Sequence, residues 1–221
     1  MVVAAGRGTR VGGETPKQFL PIGGVPMVLR ALRPFTSHPE VAQVALVLPP
    51  DQAAHPPAFL GSELGPGLVV VAGGSERTAS VAAGLRALGR ECRTVLVHDA
   101  ARPFVERPVI DAVIGHARAG EGALAAVPVS DTLKEADAAD ASRVHRTVAR
   151  DGLWRAQTPQ GFPRAVLERA YAAAAAGATD DAALVERLGV TVRLVPDSPR
   201  NLKVTTADDL VLAELLAGGG P

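Results

Sequence analysis

Apolar residues in this chain gather into short continuous runs, and the runs alternate with stretches of helical character. Residues 41–48 (VAQVALVL) are rich in β-branched side chains and stop at Pro49-Pro50, as a strand buried on both faces would. Runs at 68–72, 94–97, 122–129 and 190–195 repeat the pattern, and a shorter one opens the chain at Val2 before turning through Gly6 and Gly8. Helices are expected from Pro26, which suits a first turn, over 76–88 with Ser75 as N-cap, and over 107–119, 164–176 and 180–188. A last helix is capped by Thr206, with Asp208 and Asp209 matching the positive end of its dipole. Residues 51–67 read as irregular surface, and 158–162 and 199–204 as loops. Strands alternating with helices predict an α/β fold, a three-layer arrangement around a mostly parallel sheet. No repeat or linker divides residues 1–221, so one domain is expected.

Residues 130–150 break that rhythm. Two extended runs, around Asp131-Thr132-Leu133-Lys134 and Val144-His145-Arg146-Thr147-Val148, flank an Ala/Asp-rich turn. They predict a hairpin projecting from the sheet. A lone hairpin cannot cover its own faces, and a second copy of the chain is the simplest surface to do so.

Composition narrows the function. The 221 residues are 47% hydrophobic, with no apolar run of membrane-spanning length and no secretory signal pattern. The 23 basic and 23 acidic residues cancel, which argues against a general nucleic-acid binder needing an excess of positive charge. A single cysteine, Cys92, permits no intramolecular disulfide and no cysteine cluster for zinc, so a reducing cytoplasm is the expected compartment.

Candidate chemistry begins in the first loop, where Ala4, Ala5, Gly6 and Gly8 are followed by Arg10 and Lys17. Small residues at a strand end let backbone N–H groups approach a ligand, and nearby cations make the loop a candidate polyphosphate cradle. Neither GxGxxG nor GxxxxGK[ST] fits it. Gly73-Gly74 ahead of a helix bearing Arg77 and Ser80 is either a second anion or nucleobase site or an ordinary βα turn. Asp99, at the end of a buried strand, lies where open α/β sheets bind ligands and could ligate Mg²⁺. The neighbouring His98 reads as structural.

Together these segments resemble the 2-C-methyl-D-erythritol 4-phosphate cytidylyltransferase family. The motifs AAGRGTR with PKQFLPIGG, GGSERTASV, VHDAARPF, PVSDTLK, TVARDGLWRAQTPQGF and NLKVTTADDL occur in family order from Val2 to Leu210. The resemblance implies a Rossmann-like nucleotidyltransferase fold whose β-arm interlocks two subunits into a homodimer. It implies CTP and methylerythritol phosphate as substrates, pyrophosphate release, and Mg²⁺. By motif, Arg10 and Lys17 would stabilise charge on the triphosphate, assisted by Lys203. Gly74 and Ser80 would lie against the cytosine, Ala100 by the ribose, and Asp99 would hold the metal. Thr132 and Arg150 would reach the sugar phosphate bound in the other subunit, and Arg102 and Thr158 sit in motifs near the substrates. The form Asp180-Asp181-Ala182-Ala183 departs from the family's more usual Asp-Glu-Ala-Ser, and no substrate role is carried onto Asp181. A single activity is expected, without the cyclodiphosphate synthase fused to some relatives. Ribitol 5-phosphate as acceptor, or a nucleotide-binding protein without turnover, are the competing readings.

Overall fold

The computed structural model describes residues 1–6, 15–61, 63, 65, 67–173 and 180–218. The chain opens with β1 (Val2–Val3), and a 3₁₀ turn at Lys17–Phe19 leads into a small ladder of β2 (Pro21–Ile22) and β3 (Val25–Pro26). Then follow α1 (Met27–Thr36), β4 (Val44–Leu48), α2 (Pro50–Ala54), β5 (Leu68–Ala72), α3 (Arg77–Ala87), β6 (Thr94–Asp99), α4 (Arg107–Arg118) and β7 (Gly122–Pro128). A hairpin of β8 (Leu133–Ala136) and β9 (Val144–Val148) precedes β10 (Trp154–Pro163), α5 (Arg164–Ala172), α6 (Asp181–Glu186), β11 (Val192–Pro196) and α7 (Ala207–Ala217).

Among the described residues the main sheet has seven strands in the order β11-β7-β10-β6-β1-β4-β5. All run parallel except β10, which is antiparallel to both neighbours. Alternate side chains along each strand enter different cores. Val44, Leu46 and Leu48 meet α1 residues Val28, Leu32 and Phe35 on one face. Ala45, Val95, Val97 and Phe162 meet Val81 and Leu85 of α3, Leu167 of α5 and Leu184 of α6 on the other. Burial on both faces is why these strands read as unbroken apolar runs.

Three expectations require correction. Residues 158–162 are not a loop: they lie in β10, in the middle of the sheet, with Thr158, Gln160 and Phe162 buried. Pro159, joined to Thr158 by a cis peptide, cannot donate to a ladder, and the register with β7 shifts between Ala156 and Gln160. Ser75 is not the cap of α3. Glu76 occupies that position without a side-chain bond, and Ser80 reaches back to the turn instead. Residues 51–67 include the short α2 and a 3₁₀ turn at Ala58–Leu60, with Leu60 fully buried. The expected extension of α5 to 176 runs into 174–179, outside the described residues.

The hairpin forms as expected, pairing Leu133 with Val148 and Lys134 with Thr147. It is a separate two-stranded sheet whose residues are mostly exposed, Val144 by 62%. Helix α7 begins with a reciprocal cap: Thr206 accepts from the Asp209 N–H at 3.2 Å, and Asp209 accepts from the Thr206 N–H at 2.8 Å. Its Ala213 packs with Ile22, Met27 and Val204, tying the carboxyl-terminal helix to the segment that carries Lys203.

Thr206→Ala is expected to cost about 1 kcal/mol of unfolding free energy, measured by denaturant titration at neutral pH. Burial works to raise the Asp209 pKa, but hydrogen bonds from Thr205 and Thr206 bring it down to about 2 from 3.8. Its contribution is therefore complete above the ordinary carboxylate pKa and lost as pH falls through about 2. The stability gap between the wild type and Asp209→Asn should narrow over that acid window, and a gap independent of pH would remove the carboxylate from the cap.

Candidate active site

The connections β1–α1–β4 and β5–α3–β6 leave in opposite directions, so the sheet has a switch point beside β1, where open α/β folds make a crevice at the strands' carboxyl ends. A cleft of about 430 Å³ lies there, and Ala4, Gly6, Lys17, Gly74, Asp99 and Lys203 are among its lining residues. Backbone bonds fix its edges: Ala4 N–H donates to Val47 O, Ala100 N–H to Val3 O and Gly73 N–H to Leu48 O. The turn after β5 must be glycine. A β-carbon on Gly73 would collide with Ala5 and Ser80, and one on Gly74 with Ala79. Ser80, buried behind the turn, accepts from Gly74 N–H at 3.1 Å and donates to Glu76 O at 3.0 Å.

The charges are organised around Asp99, whose side chain is only 13% exposed. Lys203 Nζ stands 2.7 Å from its Oδ2, and Arg77 Nη2 stands 3.5 Å from its Oδ1. Burial alone would raise the Asp99 pKa, but these two cations hold it below the usual carboxylate range. Arg77 is also bonded to Asp181, with Nη1 to Oδ1 at 3.1 Å and Nη2 to Oδ2 at 2.7 Å. Burial disfavours the Arg77 charge, yet the Asp181 carboxylate overrides it and raises the guanidinium pKa. Tyr171 Oη donates to Asp181 Oδ1, and burial followed by that carboxylate pushes the phenol's pKa up. Lys17 Nζ donates to Val204 O at 2.7 Å, and Val204 N–H donates to Ala101 O, so both lysines are referenced to one segment beside the cleft.

A buried polar frame lies beneath. His98 Nε2–H donates to Arg102 O at 2.9 Å, which leaves Nδ1 as the acceptor of the Thr158 hydroxyl at 3.0 Å. Thr158 Oγ1 in turn accepts the Asp99 N–H at 3.0 Å. Burial pulls the His98 pKa down to about 4, so the ring is neutral near pH 7. Arg102 Nη1 donates to Asn201 O at 2.7 Å, and Asn201 Nδ2 donates to Thr158 O at 2.9 Å. This brace joins β10 to the segment preceding Lys203.

The model of the 2-C-methyl-D-erythritol 4-phosphate cytidylyltransferase (IspD) family matches residues 1–218. A protein of that name from Salinibacter ruber is 45% identical over 220 residues, covering 98% of this chain and 91% of its own. One from Streptomyces coelicolor is 44% identical over 222 residues, covering 97% and 82%. The crystal structure of the Thermus thermophilus cytidylyltransferase superposes with a TM-score of 0.81 at 39% identity, covering 98% of this chain and 97% of its own. The chain belongs to this family.

Within this cytidylyltransferase the cleft gathers most of the residues singled out in the sequence: Ala4, Ala5, Gly6, Lys17, Gly74, Ser80, Asp99, Ala100 and Lys203 all line it. Gly8 and Arg10 lie outside the described residues. Arg102 and Thr158 are buried beneath the cleft rather than on its wall. Thr132 and Arg150 are exposed at the base of the hairpin, where Arg150 donates to Ser130 O, and neither lines the cleft of its own chain. The sequence puts Arg77 near the helix end but does not disclose its bonds to Asp181 and Tyr171. The only signal is faint: an acid at 181 that the helix cap does not need, since Asp180 accepts from Ala183 N–H.

Thr158→Val keeps the shape but leaves the Asp99 N–H and His98 Nδ1 unsatisfied in a buried setting. A loss of about 2 kcal/mol or more in unfolding free energy is expected. Denaturant curves superimposable on those of the wild type would show that the hydroxyl does not hold this frame.

Proposed function

We propose that the cleft transfers a cytidylyl group from CTP to 2-C-methyl-D-erythritol 4-phosphate, giving 4-diphosphocytidyl-2-C-methyl-D-erythritol and pyrophosphate in isoprenoid precursor synthesis. The observation that carries this reading is the convergence of Lys203 and Arg77 on Asp99, with Lys17 lining the same cleft, in a family member. The acceptor is a phosphate monoester with a second pKa of about 6, so it is already largely dianionic at neutral pH. No side chain has to remove a proton. The obstacle is repulsion between that dianion and the triphosphate, which fixed cations overcome by aligning the groups and stabilising charge at the α-phosphate. Lys17 and Lys203 take that role, together with Arg10 by motif. The turn at Gly73-Gly74, where no side chain fits, lets the nucleobase approach backbone groups.

A Mg²⁺ ion fits the donor set. Asp99 supplies a hard carboxylate on the wall of a cleft large enough for a nucleotide's phosphates, the kind of single protein ligand that a magnesium ion takes together with substrate phosphates and waters. Asp99 would hold it, and the ion would neutralise charge on the triphosphate. The exposed hairpin supports a homodimer in which Thr132 and Arg150 of one protomer address the acceptor in the other. Among the described residues no helix is long and apolar enough to cross a membrane. We place the reaction in the cytoplasm on a different ground, the single cysteine, which fits a reducing compartment.

Pyrophosphate release from CTP and Mg²⁺ should depend on methylerythritol phosphate. Release with ribitol 5-phosphate alone would change the acceptor, and binding of CTP without release with either would leave a nucleotide-binding protein. Lys203→Ala should lower kcat by ~10²-fold, as loss of a charge-stabilising group does. Near-normal kcat at saturating substrates would take Lys203 out of the transition state. Arg150→Ala should raise KM for methylerythritol phosphate while sparing CTP, and an effect confined to CTP would contradict the arm assignment.

A further inference from the structure

Asp181 is a charged side chain with no exposure to water, in the first turn of α6. It does not cap that helix, because Asp180 does. Its two oxygens are committed to Arg77 and Tyr171. A buried carboxylate–guanidinium pair is seldom more stabilising than apolar packing of the same volume, so its placement calls for another account. Arg77 supplies one. The nitrogen that binds Asp181 Oδ2 at 2.7 Å is the same one that stands 3.5 Å from Asp99 Oδ1. The guanidinium therefore faces two carboxylates and is bonded to only one.

We propose that Asp181 is a positioning residue: by gripping Arg77 through two bonds, it keeps the guanidinium from closing on Asp99 and leaves that carboxylate able to exchange Lys203 for a divalent cation. The inference rests on the reading of Asp99 as the carboxylate that takes Mg²⁺. The frame is suited to the task, because both acids are referenced to β10. Thr158 holds the Asp99 N–H at 3.0 Å, while Gln160 accepts the Ala182 N–H at 2.9 Å and donates to Asp180 at 3.3 Å. Thr158 and Gln160, two residues apart on one strand, thus set the gap that Arg77 spans.

In Asp181→Asn the amide offers one acceptor where the carboxylate offered two and carries no charge, so the freed guanidinium pairs with Asp99. A cation must then displace two basic side chains. Calorimetric titration of the full-length protein with CTP, at a series of Mg²⁺ concentrations and without acceptor, reads this directly. The Mg²⁺ concentration for half-maximal CTP affinity should rise about tenfold in Asp181→Asn, the scale of one added unit charge at a partly solvated site. It should return to within about threefold of the wild type in Asp181→Glu, which keeps the charge. Leu60→Ala, a fully buried change in the 3₁₀ turn at Ala58–Leu60 and in the core layer that does not hold Tyr171 or Ala182, controls for lost stability and should leave the requirement unchanged. If Asp181→Asn does not fold, Tyr171→Phe, which leaves Asp181 Oδ1 to Arg77 alone while keeping both charges, tightens the grip and should lower the requirement by about twofold. A wild type whose CTP affinity ignores Mg²⁺ overturns the metal reading and this inference with it. A Mg²⁺-dependent wild type with no shift in the folded variant, or an equal shift in Leu60→Ala, overturns this inference alone.

Discussion

A carboxylate at the end of β6 that is mostly shielded from water must be met by positive charge, and the cleft is built around how Asp99 meets that demand. Two cations reach it from opposite directions in the sequence, Arg77 from the start of α3 and Lys203 from the segment before α7. Neither is placed by local structure alone. Lys203 depends on the Arg102–Asn201 brace and on the Val204–Ala101 backbone bond. Arg77 depends on Asp181, 104 residues away in sequence. The site is a long-range electrostatic assembly on a sheet whose own stability comes from apolar layers.

β10 joins those two levels. It is the antiparallel strand in an otherwise parallel sheet, and it buries Gln157, Thr158 and Gln160 where its neighbour β7 buries aliphatic side chains. Polar groups in such a place are tolerable when hydrogen-bonded. Thr158 serves His98 and Asp99, Gln160 serves α6, and Gln157 donates to Asn201 O at 3.0 Å. Each bond transmits the position of the central strand to a part of the cleft wall.

That division explains what the sequence can reveal. The parallel strands and their helices are legible because burial on both faces leaves continuous β-branched runs, and the hairpin because its turn chemistry is local. β10 reads as a loop because TPQGF carries a proline, a glycine and two polar residues, which signal irregular backbone in any chain that lacks this network. The lining residues in the glycine turns and at Asp99 and Lys203 are legible through motif resemblance. The Arg77–Asp181–Tyr171 connection is not, since the family's motif order carries no information about which side chains meet. Ser75 looks like the cap for the opposite reason: local propensity favours it, and the Ser80 hydroxyl, five residues further on, reaches the turn instead.

The same frame explains why the cleft has no need of a titrating side chain. Burial removes His98 from proton exchange near neutrality, the neighbouring cations keep Asp99 ionised, and Asp181 keeps Arg77 charged. None of these three changes its charge around pH 7. An acceptor that is already a dianion requires charges that stay in place as two anions are brought together, and a site holding a half-protonated base would supply them less well. On the proposed reaction, the hydrogen bonds beneath the floor act without lining the cleft: they orient a neutral His98 and fix the backbone of Asp99 below the place where the two anions would meet.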